Sequence, residues 1–292
     1  MRIQARLACV LLALTCHSVA QAQTTTMRRI PDDNLSYPVL IKLNGADTGS
    51  GFYLNSGKNL FLVTAKHVLL QQDGKTFLAP QAEVVAYARD RKDPRPGRLE
   101  MDLELLKSHG DLRSHALHDV VLVRIGTVGG GPATQAVSPM RGVTVTNPPA
   151  SGFVSVGLDL VKRFDDVLVS NEVIIFGYPS SIGVWNVPQI DYTRPLLRKG
   201  IIAGTNSALK SIVLDCPVYA GNSGGPVLEL AQENIATTRL HVIGVVIEYV
   251  PIVQRASPGS QTVVVENSGY AIAAAMDSVL ELISSIERPT GK

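Results

Sequence analysis

Apolar residues in this chain gather in short runs of strand length, which restricts it to a mostly β fold. Tyr37, Val39, Ile41 and Leu43 alternate with less apolar neighbours, as on a strand with one buried face. Residues 51–54 and 60–63 form two more runs, joined by a turn at Ser56-Gly57-Lys58. Residues 84–87 and 120–125 continue the series, the latter apolar except for Arg124. Residues 126–151 are poor in large apolar side chains and contain Gly129-Gly130-Gly131-Pro132 and Pro148-Pro149, which predicts a linker or long loop. Strand-like runs resume at 172–176, 200–203, 212–214, 242–247 and 262–265. At the end, Ile272, Met276, Val279, Leu280, Ile283 and Ile286 recur at helical spacing, which predicts an amphipathic helix packed on a core. About six strands, a linker, about six more and a helix suit an all-β chain of two packed six-stranded antiparallel barrels.

The first 22 residues read as a leader. Arg2 and Arg6 precede a segment from Leu7 to Cys16 that is apolar except for Thr15, and Ala20-Gln21-Ala22 is a small-x-small cleavage site. The apolar segment is too short to span a bilayer, and no later segment is long and apolar enough. The expectation is an exported chain, periplasmic or secreted, with a signal peptide over 1–22, a first unit over 23–135 and a second over 136–292. The whole chain has 27 basic and 25 acidic residues. Loss of Arg2 and Arg6 leaves 25 against 25, a formal balance that argues against nucleic acid as a partner. Cys9 and Cys16 leave with the leader, so no internal disulfide can form, and Cys216 is expected to act as a small buried hydrophobe.

Three short motifs carry chemistry. Gly221-Asn222-Ser223-Gly224-Gly225-Pro226 places a serine among residues without a Cβ, where a substrate can come close and backbone N–H groups can converge on a carbonyl oxygen. A serine hydroxyl needs a base, and His67 follows a strand in Val63-Thr64-Ala65-Lys66-His67, within a segment able to form one helical turn. A base needs an orienting carboxylate, and Asp119 stands at the mouth of the run from 120 to 125. Singly, each has a plainer reading: a glycine-rich turn, a core histidine bonded to backbone, a water-exposed aspartate at a strand start. Asp111 is the nearest competitor to Asp119, but no apolar strand follows it directly.

Together and in the order His67, Asp119, Ser223, these motifs resemble the chymotrypsin-like (trypsin-like) serine peptidases, most closely the disulfide-free bacterial HtrA/Deg branch. Gly51-Phe52, Phe176-Gly177-Tyr178-Pro179 and Gly269-Tyr270-Ala271-Ile272 extend the resemblance over about residues 35 to 288. It implies a triad in the cleft between two barrels, with Ser223 as nucleophile, His67 as general base and Asp119 as its orienter. It further implies an oxyanion hole from the N–H groups of Gly221 and Ser223, protein or peptide substrates, and no metal or cofactor. Asn222 departs from members activated by cleavage, which carry an aspartate there, so activity without such a cut is expected. PDZ domains, common in the HtrA branch, are not expected in the stretch from Ser223 to residue 292.

By the same resemblance Pro217 falls at the base of the substrate pocket, and Ile247 and Glu248 on its wall. No charge then lies at the base, which favours a small or apolar side chain before the cut bond, although Asp215 or Glu248 could instead select Arg or Lys. Two other readings compete. α/β-Hydrolases also use G-x-S-x-G, but their order is Ser, acid, His. Only His241 follows Ser223, and Glu229 and Glu233 are the only acids between them. A chymotrypsin-like scaffold can also serve as a non-catalytic binding module that keeps its triad over a collapsed oxyanion loop.

Overall fold

Two β-sheets share the described part of the chain, and one helix straps them together. The computed structural model describes residues 30–88, 95–129, 136–149, 152–180, 187–234, 237–255 and 263–288. The leader expected over 1–22 lies outside the described residues. None of the described helices is long and apolar enough to cross a membrane.

The first half carries β1 (Pro38–Leu43), β2 (Ala46–Asn55), β3 (Asn59–Thr64), α1 (Lys66–Leu69), β4 (Gln81–Ala86), β5 (Gly97–Asp102), α2 (Leu103–Ser108), β6 (Leu112–Ser114) and β7 (Val121–Gly129). β8 (Ala136–Pro139), β9 (Val143–Asn147) and β10 (Val156–Gly157) follow. Hydrogen bonding joins them in the order β6-β7-β3-β2-β1-β4-β5-β9, with β8 beside β7 and β10 parallel to β2. The second half carries β11 (Glu172–Gly177), β12 (Leu196–Asn206), β13 (Ser211–Asp215), β14 (Pro226–Asn234), β15 (Thr237–Arg255), β16 (Val263–Ala275) and α3 (Met276–Glu287). Its six strands close into a barrel in the order β11-β12-β13-β16-β15-β14.

The chymotrypsin-like class holds, and three details differ from the sequence reading. The first sheet is a ten-stranded curl rather than a six-stranded barrel. The expected loop over 126–151 contains β8 and β9, which pair with β7 and β5, so the first sheet continues past residue 135. Short polar strands at a sheet margin bury few side chains, and β9 shows it: only Val143 is buried. The last helix begins at Met276, not Ile272, because Ile272 pairs across β16 with Val213 and Glu248.

Unbroken apolar runs mark strands buried on both faces. On β2 and β3, Tyr53, Leu60 and Leu62 face the core of the first sheet. Phe52, Leu54, Phe61 and Val63 face the opposite way, with Val120 and Leu122. There they meet Phe176, Leu228 and Val245 of the second barrel and Met276, Val279, Leu282 and Ile283 of α3. Each such side chain contributes about 1.5–3 kcal/mol by leaving water. A third core fills the second barrel, with Val173, Ile175, Ile212, Leu214 and Ile243. Cys216 belongs to it, fully buried, and burial pushes its thiol up to about 11. Arg124, the exception in its run, bonds through Nε (2.7 Å) to Asp111, which is 2% exposed.

Candidate active site

β3 ends at Thr64, and the single turn of α1 then sorts its side chains. Val68 and Leu69 go into the core, which leaves His67 exposed at the surface of the turn. A core histidine is therefore not what His67 is. Its ring Nδ1 lies 2.5 Å from Asp119 Oδ2, and its backbone N–H donates to Asp119 Oδ1 at 3.2 Å. A carboxylate only accepts, so Nδ1 carries the proton and Nε2 keeps a free lone pair. Asp119 is fixed in turn: its carbonyl accepts the Lys66 N–H at 3.4 Å. Burial alone would raise the Asp119 carboxyl. The hydrogen bond and charge of the His67 ring, with the N–H groups of His67 and Lys66, outweigh burial and hold it below its ordinary value. Asp111, its competitor, is committed to Arg124. His115 bonds Glu281 on α3 at 3.0 Å, and its ring lies 4.7 Å from that of His118.

Ser223 lies in the turn from β13 to β14, half-buried. Gly221 and Gly224 adopt φ of +95° and +86°, the left-handed region where glycine carries no Cβ penalty. A Cβ on Gly221 would strike the Tyr178 carbonyl, and one on Gly224 would strike Ser50 and Thr64. The Gly224 contacts place the turn beside the end of β3 and Ala65, two residues before His67. Asn222, 1% exposed, pins the turn: its N–H donates to the Tyr219 carbonyl (2.9 Å) and its Oδ1 accepts the Tyr219 N–H (3.1 Å). The Gly224 N–H goes to Val246 (2.7 Å) and the Gly225 N–H to Asn222 (3.0 Å). Among the described residues, the N–H groups of Gly221 and Ser223 have no acceptor. Unpaired backbone donors in so buried a turn are uncommon.

His67 and Asp119 thus form a bonded pair, and Ser223 sits against the same turn. Ser223 Oγ makes no hydrogen bond to the His67 ring or to any other described group. Such bonds often close only around substrate. The residues expected at the substrate pocket differ in their surroundings. Pro217 is half-buried between the buried Cys216 and Val218. Ile247 packs on the cores of the first sheet and of the junction, while Glu248 and Asp215 are exposed. The Arg198 guanidinium lies 4.5 Å from the Tyr219 ring, a charge near this segment that the sequence reading did not place. That reading also missed Ser50, which bonds to the Ser223 turn from the first sheet. Only its place beside Gly51-Phe52 hinted at it.

The family model described as "Trypsin-like peptidase domain" matches residues 49–236. A search of curated protein sequences gives no match. Among solved structures, a heparin-binding protein, HBP, is 11% identical, with 90% of this chain and 96% of that chain covered and a TM-score of 0.52. Deg5 is 15% identical, over 87% and 91% of the two chains, with a TM-score of 0.50. The HtrA-type protease AlgW, with a tripeptide, is 18% identical with a TM-score of 0.47; 87% of this chain spans 61% of that one. At such identities the solved structures speak to the fold alone, whereas the family model covers most of the chain, including His67, Asp119 and Ser223. The chain belongs to the trypsin-like peptidase domain family.

Proposed function

We propose that this protein is an exported serine endopeptidase that cuts peptide bonds through an acyl-enzyme on Ser223. The observation that carries this reading is the pair of unspent N–H donors, Gly221 and Ser223, in the turn that carries the Ser223 hydroxyl, packed against the end of β3 next to the His67–Asp119 pair. Ser223 Oγ attacks the scissile carbonyl carbon and passes its proton to Nε2 of His67. Charge on the carbonyl oxygen is met by the two N–H groups. Asp119, ionised, holds the ring and balances the imidazolium. His67 then protonates the leaving amine, and water, activated by the same ring, releases the acyl group. The residues of the first sheet supply base and orienter, and the second barrel supplies the nucleophile. Substrates are extended protein or peptide segments. Pro217, Ile247 and Glu248 are assigned to the wall and base of the pocket for the side chain before the cut.

Incubation with an unfolded protein such as casein tests the reading. The native chain should generate peptides, and Ser223→Ala should lower kcat by at least about 10⁴, a magnitude taken from well-studied serine peptidases. Undiminished cleavage by Ser223→Ala would overturn it. The free Ser223 Oγ favours one second reading, a binding module on the same scaffold. That module would leave casein intact in both forms while remaining folded.

A further inference from the structure

Four consecutive peptide units run through the nucleophile turn, from Ala220 to Gly224, and every one of their carbonyls is held. The Ala220 carbonyl accepts the Ser180 N–H at 2.9 Å. The Asn222 carbonyl accepts the Gly225 N–H at 3.0 Å. The other two belong to a single residue of the first sheet. Ser50 Oγ donates to the Gly221 carbonyl at 2.6 Å, and the Ser50 N–H donates to the Ser223 carbonyl at 2.8 Å. Ser50 is fully buried on β2, and its remaining capacity is also used. Its Oγ accepts the Tyr178 N–H at 2.9 Å, and its carbonyl accepts Thr64 Oγ1 at 2.7 Å.

A trans peptide is planar, with its C=O and N–H pointing in opposite directions. Fixing a carbonyl therefore fixes the N–H of the next residue. Anchoring the Ala220 and Asn222 carbonyls turns the N–H groups of Gly221 and Ser223 the other way. The two units between and after them are fixed by Ser50, so neither can rotate without breaking a buried hydrogen bond. We infer that Ser50 is a positioning residue for the oxyanion site, holding the nucleophile turn of the second barrel from the first sheet so that the two free donors keep their directions. The inference rests on the serine peptidase reading. It makes the donor geometry depend on the docking of the two halves, because the clamp and the turn lie on different sheets. Thr64 extends the same chain of bonds toward the turn that bears His67.

Ser50→Ala removes the hydroxyl and leaves the backbone bond. Loss of an entire oxyanion donor costs about 10²–10³ in kcat, so misalignment should cost about 10–100-fold, with KM changed less than about twofold. Affinity for a peptide boronate, whose tetrahedral adduct uses the oxyanion donors, should fall by a similar factor. Affinity for a reduced-bond peptide, which has no carbonyl oxygen at the cut site, should not change. Wild-type kcat and boronate affinity in Ser50→Ala would overturn the inference, as would a parallel loss of affinity for the reduced-bond peptide, the sign of general loosening. If the alanine variant does not fold, Ser50→Cys, close in size with a weaker donor, serves instead: kcat should fall several-fold, and an unchanged value overturns the assignment. A native chain that neither cleaves peptides nor binds the boronate removes the peptidase reading itself, and this inference with it.

Discussion

Asp119 shows how one residue couples local structure to chemistry. Its carboxylate takes both the ring Nδ1–H and the backbone N–H of His67, so it fixes the tautomer and the turn together. Asp119→Asn should keep the fold yet lower kcat by about 10⁴, because an amide that donates to Nδ1 leaves the proton on Nε2. The folded carboxyl lies below its ordinary value of 3.8, so ionisation favours the folded state. That contribution is complete above the ordinary value and is lost as pH falls through the folded one. Urea unfolding at a series of pH values should therefore show Asp119→Asn less stable than the native chain near neutrality, with the gap closing in acid. A gap independent of pH would contradict this. The pairing of His67 with Asp119 and the closeness of the Ser223 turn to them could be anticipated because each residue stands in a recognisable local motif. The part of Ser50 could not, because it consists of bonds to residues 128 and 171 positions away. Gly224 was legible as a small residue but not as a left-handed one wedged against Ser50 and Thr64. Gly224→Ala should abolish activity, since neither the dihedral nor the space admits a Cβ; measurable cleavage by a folded Gly224→Ala would contradict the turn geometry.

At the scale of elements, α3 joins the halves. It follows β16 of the second barrel, yet Glu287 near its end accepts from Ser56 Oγ (2.5 Å) and Asn59 Nδ2 (2.7 Å) at the β2–β3 turn. Its apolar face, Met276, Val279 and Ile283, meets Val63 of β3, Leu122 of β7 and Val120 just before β7, on the side turned away from the core of the first sheet. Val279→Asp would place an unpaired charge there and should destabilise the protein by about 3–5 kcal/mol, measured as a shift in denaturant midpoint. The helical period made this element visible in the sequence, while its start was misplaced by four residues, from Met276 back to Ile272. The reason is that Ile272, Ala273 and Ala274 pack equally well as a strand, paired on both sides by β13 and β15. β8 and β9 were missed for the opposite reason. They bury little, so the apolar period that reveals strands is faint, and pairing with β7 and β5 is what defines them.

At the scale of the whole molecule, two sheets meet along a shared apolar layer, with His67 and Asp119 on the side of the first and Ser223 on the side of the second. Phe61 belongs to that layer, fully buried in the cluster shared with the second barrel and α3. Phe61→Ala should cost about 3–5 kcal/mol in global stability. Before it unfolds the chain, it should also weaken the register of Ser50 and Thr64 with the nucleophile turn. The central claim is that a hydroxyl on one sheet is activated by a histidine–aspartate pair on the other. Reaction with a fluorophosphonate, followed by mass spectrometry of the digested protein, tests it most directly. The account predicts a single adduct on Ser223, absent in Ser223→Ala and formed far more slowly in His67→Ala. A folded protein that takes up no label, or takes it up equally in the His67→Ala variant, would contradict it.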